Sequence, residues 1–272
     1  MNTNWQKLTT ILFGFLLTFV SFVSGQDHST APPLKQAHSH NDYLQNNPLH
    51  DALVHGFCSV EADIFLVGGQ LLVGHYRWTL RPEMTLKKLY LDPLKNRVEQ
   101  FDGKVYPNGP LFILLIDIKE HGDAVYPVLK NLLQQYESML SGMRGGKYEH
   151  RAIQVVISGS CPRRLIMQDR SRLVSIDGRL SDLESDTPPH LIPMISAKWG
   201  STFKWRGRST IKDSEKEKLK SIVAKAHKKN RRVRFWASPE SSVVWERLLA
   251  EGIDHINTDD LKKLSQFLKS KQ

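Results

Sequence analysis

The chain has 272 residues, 24% of them charged, a formal net charge of +10 and two cysteines. That length fits one large α/β barrel or two small domains, and no Pro/Gly/Ser-rich linker or low-complexity tract divides it, which leaves one domain. Beyond the N-terminal segment no apolar run is long enough to cross a membrane as a helix.

The first element is not part of that domain. Lys7 precedes the apolar run 11–23, and the small residues Ser24 and Gly25 follow before the polar "QDHSTAPP". A short basic region, a short apolar core and a small-residue site read as a secretory signal peptide over residues 1–25, with cleavage after Gly25. The competing reading is a membrane anchor, for which the apolar run is short. No cysteine sits at the cut, so nothing suggests a lipoprotein. The expected product, residues 26–272, is secreted or periplasmic and carries +9, one less for the loss of Lys7.

Short apolar runs then alternate with helical patterns. The strands expected are 34–40, 57–66, 111–119, 153–158, 173–176, 191–195, 233–236 and 253–257. Residues 71–75 form the return arm of a hairpin turned by Gly68-Gly69. Helices are expected over 123–140, over 240–250 with Ser238 as N-cap and Pro239 in the first turn, and over 260–269. Nearly continuous apolar strands in repeated strand–helix units mean a parallel sheet covered by helices, and eight of them suggest a TIM-like (β/α)8 barrel. Its early region is irregular, with a hairpin where a helix is due. Cys58 falls early in one strand and Cys161 just past the end of another, at different heights, so no disulfide is expected.

The excess positive charge is concentrated in residues 212–234. Leu219, Ile222, Val223 and Ala226 recur there at helical spacing, so the lysines read first as the solvated face of a helix. The same field favours anionic partners, including a peripheral contact with an anionic membrane. No aromatic platform is interleaved with the basic residues, so no nucleic acid is expected. No obligate protein partner is evident.

Charge also sits where a core strand should be apolar. In "FCSVEADIF" Glu61 and Asp63 are two residues apart and share a strand face. In "FILLIDIKE" Asp117 and Lys119 do the same. His40 closes the first strand and His75 closes the hairpin arm. In a barrel these residues fall at the C-terminal ends of the strands, where chemistry is placed. Buried carboxylates cost free energy unless paired, and a hard cation bound by both removes that cost. A cation beside two imidazoles suits phosphodiester cleavage, with one histidine as base, the other as acid and Lys119 stabilising charge.

The order of "HNDY" (40–43), "VEAD" (60–63), "LLVGH" (71–75), "IDIK" (116–119), "RFWASPE" (234–240) and "GIDHINTDDL" (252–261) resembles the phospholipase-C-like phosphodiesterase superfamily. That superfamily includes glycerophosphodiester phosphodiesterases and phosphoinositide-specific phospholipases C. The chain is most similar to a branch named after a yeast protein implicated in mitochondrial inheritance. The resemblance implies His40 and His75 as catalytic histidines and Glu61, Asp63 and Asp117 as ligands of a divalent metal. Asn41 stands where animal phospholipases C carry a metal-binding Asn and many glycerophosphodiesterases carry Arg, which favours Ca²⁺ over Mg²⁺. The third acid is usually Glu, and Asp117 is shorter. Lys198, Trp199 and Trp236, at the ends of the sixth and seventh strands, are expected to bind the leaving group or its lipid. The substrate class implied is a small-molecule or lipid phosphodiester. His40 is expected to be the base and His75 the acid, with the roles exchangeable. His38 is expected to orient a ligand or the first strand.

Two other readings are weighed. His38-Ser39-His40 forms the HxH of amidohydrolases and of phosphoesterases of the polymerase-and-histidinol-phosphatase type, but the later histidine ligands are missing, and only Asp259 and Asp260 are on hand. An exported headgroup-binding barrel without catalysis has no need of both an acid and a base histidine.

Overall fold

The computed structural model describes residues 31–272. The export signal expected over residues 1–25 lies outside the described residues. β1 (Leu34–Ser39) leads through α1 (His50–Val54) to β2 (Phe57–Val67), whose return arm is β3 (Gln70–Val73). Then come α2 (Asp92–Gln100), β4 (Phe112–Ile118) and α3 (Gly122–Gln134). A small hairpin, β5 (Gly142–Arg144) and β6 (Lys147–Glu149), precedes β7 (Ile153–Gly159), α4 (Arg163–Gln168) and β8 (Val174–Gly178). The last third holds β9 (Met194–Lys198), α5 (Trp199–Thr202), α6 (Asp213–Lys228), β10 (Arg232–Trp236), α7 (Ser242–Ala250), β11 (His255–Thr258) and α8 (Leu261–Lys269).

Strands β1, β2, β4, β7, β8, β9, β10 and β11 pair in parallel in that order, and β11 pairs back to β1. This closes the expected (β/α)8 barrel. β3 pairs antiparallel on the C-terminal half of β2. Its turn needs two left-handed residues in a row, and Gly68 (φ 55°) and Gly69 (φ 80°) supply them without a Cβ penalty. The early region has both a hairpin and a helix, because α2 follows β3 before the chain enters β4. Cys58 and Cys161 are both free thiols. Among the described residues no helix is long and apolar enough to cross a membrane.

Several boundaries move for identifiable reasons. The strand expected at 191–195 begins at Met194, because the amides of Leu191 and Ile192 turn back onto the Pro188 carbonyl. Their side chains stay buried, which preserved the apolar signal. α3 ends at Gln134 and not near Leu140. Residues 135–137 continue in i→i+3 turns, and Tyr136, Met139 and Leu140 still pack inward. Ser238 does not cap α7. The cap is Ser241, whose hydroxyl accepts from the Val244 amide, and the helix starts at Ser242. α8 is capped by Asp260, which accepts from the Lys263 amide. The basic helix α6 buries the four residues expected of it.

The two faces of the barrel sheet differ in chemistry. The main apolar core lies between strands and helices, and among the described residues the apolar cluster inside the barrel is Ile113, Leu115, Val156 and Met194. The rest of the interior carries polar side chains, among them His38, Ser59, Glu61, Arg234 and Asn257. A barrel interior is ordinarily filled by branched apolar layers. Here part of that filling is replaced by a hydrogen-bonded network that rises toward the strand C-termini.

One interior residue gives a pH prediction. His255 is buried, and burial, with Arg232 and His38 nearby, holds its imidazole well below the ordinary value of 6.5. Below that value the unfolded chain binds a proton that the folded chain refuses, so this residue lowers stability as the solution is acidified. Relative to wild type, His255→Leu should gain about 1.4 kcal/mol for each pH unit below 6.5. Urea unfolding at pH 7.5 and pH 5.5 measures the difference, and a constant offset at both values would contradict it.

Candidate active site

Strand register builds the site. Asp63 on β2 stands opposite Asp117 on β4, and β1 brings His38 level with Ser59 and with Asn257. Carboxylate oxygens of Glu61, Asp63 and Asp117 lie within 4.8 Å of one another at the C-terminal mouth. The three acids chosen from the sequence are therefore one cluster.

Asp63 is the centre of it. Its Oδ2 accepts from the Tyr43 hydroxyl at 2.6 Å, from His75 Nδ1 at 2.9 Å and from the Lys119 ammonium at 2.7 Å. Its Oδ1 is buried and has no hydrogen-bond partner among the described residues. A buried carboxylate oxygen without a donor is costly, and a cation is what such an oxygen accepts. The donor set, three carboxylates and no sulfur, fits a hard divalent ion. Lys119 also lies 3.4 Å from Asp117, so it already offsets part of the cluster's charge. Burial, with Asp63 and Glu61 nearby, raises the Asp117 carboxyl to about 6.

Glu61 is set differently. Burial opposes its ionisation, but Arg234 at 2.6 Å holds its carboxyl well below the usual range. Arg234 is itself buried between Glu61 and Asp177, the latter at 3.8 Å. His38 Nδ1 meets the Ser59 hydroxyl at 2.7 Å, and its Nε2 accepts from Arg234 at 2.8 Å. Burial and Arg234 lower His38 to about 4, so it is a neutral ring with its lone pair in use. This answers the HxH reading: His38 has no free nitrogen for a metal. It aligns Glu61 and Arg234.

The two remaining histidines share one arrangement. His40 Nδ1 meets Asp259 at 2.8 Å and His75 Nδ1 meets Asp63 at 2.9 Å, while neither Nε2 bonds to a described residue. A carboxylate on one nitrogen fixes the tautomer and leaves the other for proton transfer. Burial works against the His40 cation, but the Asp259 hydrogen bond and the charges of Glu61 and Asp259 prevail and raise its pKa. Asn41, in a left-handed conformation (φ 47°), presents its amide oxygen 2.9 Å from the Tyr43 hydroxyl. It is tied to the acid cluster through Tyr43.

Three rim residues divide. Lys198 and Trp236 meet at the ends of β9 and β10, the ammonium 5.2 Å above the indole. Trp199 does not join them. It is fully buried, edge-on to Phe235, with its indole N–H given to the Trp205 carbonyl. With no exposed surface it cannot meet a substrate, which corrects the sequence expectation. Alternation at the end of β9 sends Lys198 to the rim and Trp199, the first residue of α5, onto the helix layer.

Sequence reasoning missed Tyr43, Arg234 and Asp259 as parts of the site, naming Asp259 only within the HxH reading. Arg234 sits between Val233 and Phe235 in a core strand, the same signal of charge within an apolar run that singled out Glu61. Tyr43 carried no such signal. Asp177 was also missed, and its Oδ1 is a second buried, unpartnered carboxylate oxygen in the interior.

The family described as the AIM6-like phosphodiesterase domain matches residues 29–177. The chain belongs to this family. The match spans His40, Glu61, Asp63, His75, Asp117 and Lys119, and it stops before Lys198, Arg234 and Trp236. Among curated relatives, the Eremothecium gossypii protein named Altered inheritance of mitochondria protein 6 is 28% identical, over 87% of this chain and 70% of its own length. A homologue in Arthroderma benhamiae is 27% identical, over 82% of this chain and 81% of its own length. These relatives are named for a phenotype. A glycerophosphodiester phosphodiesterase structure from Parabacteroides distasonis aligns with 89% of this chain and 99% of its own. Its TM-score is 0.51 at 12% identity, which is a likeness of fold.

Proposed function

We propose that this family member is a metal-dependent phosphoric diester hydrolase acting on glycerophosphodiester or phospholipid-type substrates. The observation that carries the reading is the unpartnered, buried Oδ1 of Asp63, set among three carboxylates and beside a histidine anchored on the same group. Glu61, Asp63 and Asp117 would hold the cation, with Asn41 as a neutral oxygen donor, and Asn41 in that place keeps Ca²⁺ ahead of Mg²⁺. When bound, the ion supplies positive charge against the phosphate oxygens.

The chain's own groups do the proton work. His40 Nε2 takes the proton of the attacking hydroxyl, and the Asp259 carboxylate supports the charge that then forms on the ring. His75 Nε2 delivers a proton to the leaving oxygen and is held in position by Asp63. Lys119 faces the charge that develops on phosphorus-bound oxygen. Where the substrate carries a hydroxyl beside the phosphate, internal attack gives a cyclic phosphate, and water opens it with the histidines exchanging roles.

The test is hydrolysis of bis-p-nitrophenyl phosphate and of glycerophosphodiesters by residues 26–272, with Ca²⁺, with Mg²⁺ and with EDTA. His40→Ala and Asp117→Asn are the controls, because Glu61→Ala would also unpair buried Arg234. Metal-dependent cleavage lost in both variants is expected. Cleavage that persists in EDTA would remove the metal from the reading.

Exposed aromatic side chains on the same rim support a lipid-type substrate. Tyr76 and Trp78 stack at 4.6 Å directly after His75, Trp78 is 81% exposed, and Leu44 is 67% exposed near His40. Rings of this kind belong at a membrane–water interface. Trp78→Ala should weaken sedimentation with anionic phospholipid vesicles about tenfold while leaving cleavage of a soluble diester unchanged. Equal vesicle binding would remove the membrane contact. The proposed site of action is secreted or periplasmic, which follows from the export signal expected at residues 1–25.

A further inference from the structure

The barrel has a second mouth, at the N-terminal ends of the strands, and its chemistry is unlike that of an ordinary barrel floor. Lys35, Cys58, Ile113, Arg232 and His255 line a cavity of about 370 Å³ there. A second compartment of about 490 Å³ shares Leu111 and Arg232 with it and is walled by Tyr148, His150, Gln154 and His190.

Charge compensation is the informative observation. "RRVR" (231–234) places three arginines in one short stretch, Arg231 and Arg234 buried and Arg232 half-buried. Arg234 has two carboxylates, Glu61 and Asp177. Arg231 spends its donors on the carbonyls of Asp182, Ser185 and Thr187. Arg232 has the Gln154 amide oxygen, and its Nε is buried without a partner. Among the described residues no carboxylate lies within ion-pair distance of it. The acid on the cavity wall, Asp254, acts on Arg232 through its charge without pairing with it, and its Oδ2 meets His227 Nε2 and the Val233 amide, each at 2.8 Å. Beside Arg232 on the same wall, His255 is 4% exposed and both of its ring nitrogens lack a hydrogen-bond partner.

A half-buried guanidinium whose Nε has no acceptor and a buried imidazole without a partner are each costly. One ligand relieves both. We propose that this N-terminal mouth binds a phosphomonoester or free phosphate, with the oxyanion on Arg232 and His255. A guanidinium matches phosphate oxygens in paired hydrogen bonds, and Lys35 at the edge adds positive charge. A neutral imidazole has one donor and one acceptor, which suits a phosphate that still carries one proton. The body of an ester has a place in the second compartment. Tyr148 and His190 stack there at 5.0 Å, and Arg172 donates to His190 Nδ1 at 2.7 Å and holds that ring. The site stands at the opposite end of the barrel from Asp63 and does not depend on the catalytic reading.

Calorimetric titration of the exported chain in EDTA, with inorganic phosphate and with phenyl phosphate, tests it. Wild type and Lys119→Met should bind one equivalent alike. Arg232→Gln and His255→Leu should each weaken binding at least tenfold. Tighter binding of phenyl phosphate, lost in Tyr148→Ala, would identify an ester as the ligand, and equal binding would identify the free anion. Binding absent from wild type overturns the proposal. So does binding that Lys119→Met removes and Arg232→Gln retains, which would place the anion in the catalytic mouth. Should Arg232→Gln not fold, His255→Leu decides the same question.

Discussion

Replacing Arg234 by methionine is expected to destabilise the protein by about 3–5 kcal/mol, the cost of leaving a buried charge without its partner. Arg234 is 3% exposed, lies 2.6 Å from Glu61 and 3.8 Å from Asp177, and also donates to His38 and Asn257. Methionine fills much of the volume, so the loss reports the uncompensated Glu61 carboxylate more than a cavity. For a chain of this size that corresponds to a melting temperature lower by roughly 6–10 °C. Adding Glu61→Gln to Arg234→Met removes the stranded charge and should recover a large part of the loss. Thermal and urea unfolding of the two variants measure this. A single variant within 1 kcal/mol of wild type would show that the pair is not buried in the way described.

Asp63→Asn is expected to lower kcat/KM for a diester by about 10³-fold or more, while the fold persists. Three donors meet on one oxygen of Asp63, and its other oxygen is the open acceptor of the acid cluster. An amide of the same shape loses the charge that holds Lys119 and His75 and presents a donor to whatever occupies the cluster. The readout beyond activity is thermal: Ca²⁺ should raise the wild-type melting temperature by mass action and leave that of Asp63→Asn unmoved. A cation-dependent shift of equal size in both proteins would take the ion away from Asp63.

Much of this was legible in the chain because strand and helix periods are local properties. Eight apolar runs gave eight barrel strands, and the pair of glycines at 68–69 gave the hairpin. The same signal at Gly145-Gly146 (φ 53° and 79°) marks the β5–β6 hairpin and went unread, because no strong apolar arms flank it. The five positions that carry acid or base in core strands or at their ends, Glu61, Asp63, His75, Asp117 and Lys119, converge as their shared strand faces require. His40 lies at the same mouth.

What the sequence alone determined was the set of charges placed against the apolar pattern, since burying them is costly wherever the chain folds. Only the tertiary structure decided their partners. Glu61 and Arg234 are 173 residues apart, and His40 and Asp259 are 219 apart. No local period relates such positions. Closure of the barrel, which sets β1 between β2 and β11, brings His40 to Asp259 and Glu61 to Arg234. The same closure gives Arg232 and Arg234, one layer apart on β10, different partners: the Gln154 amide for the first and the carboxylates of Glu61 and Asp177 for the second.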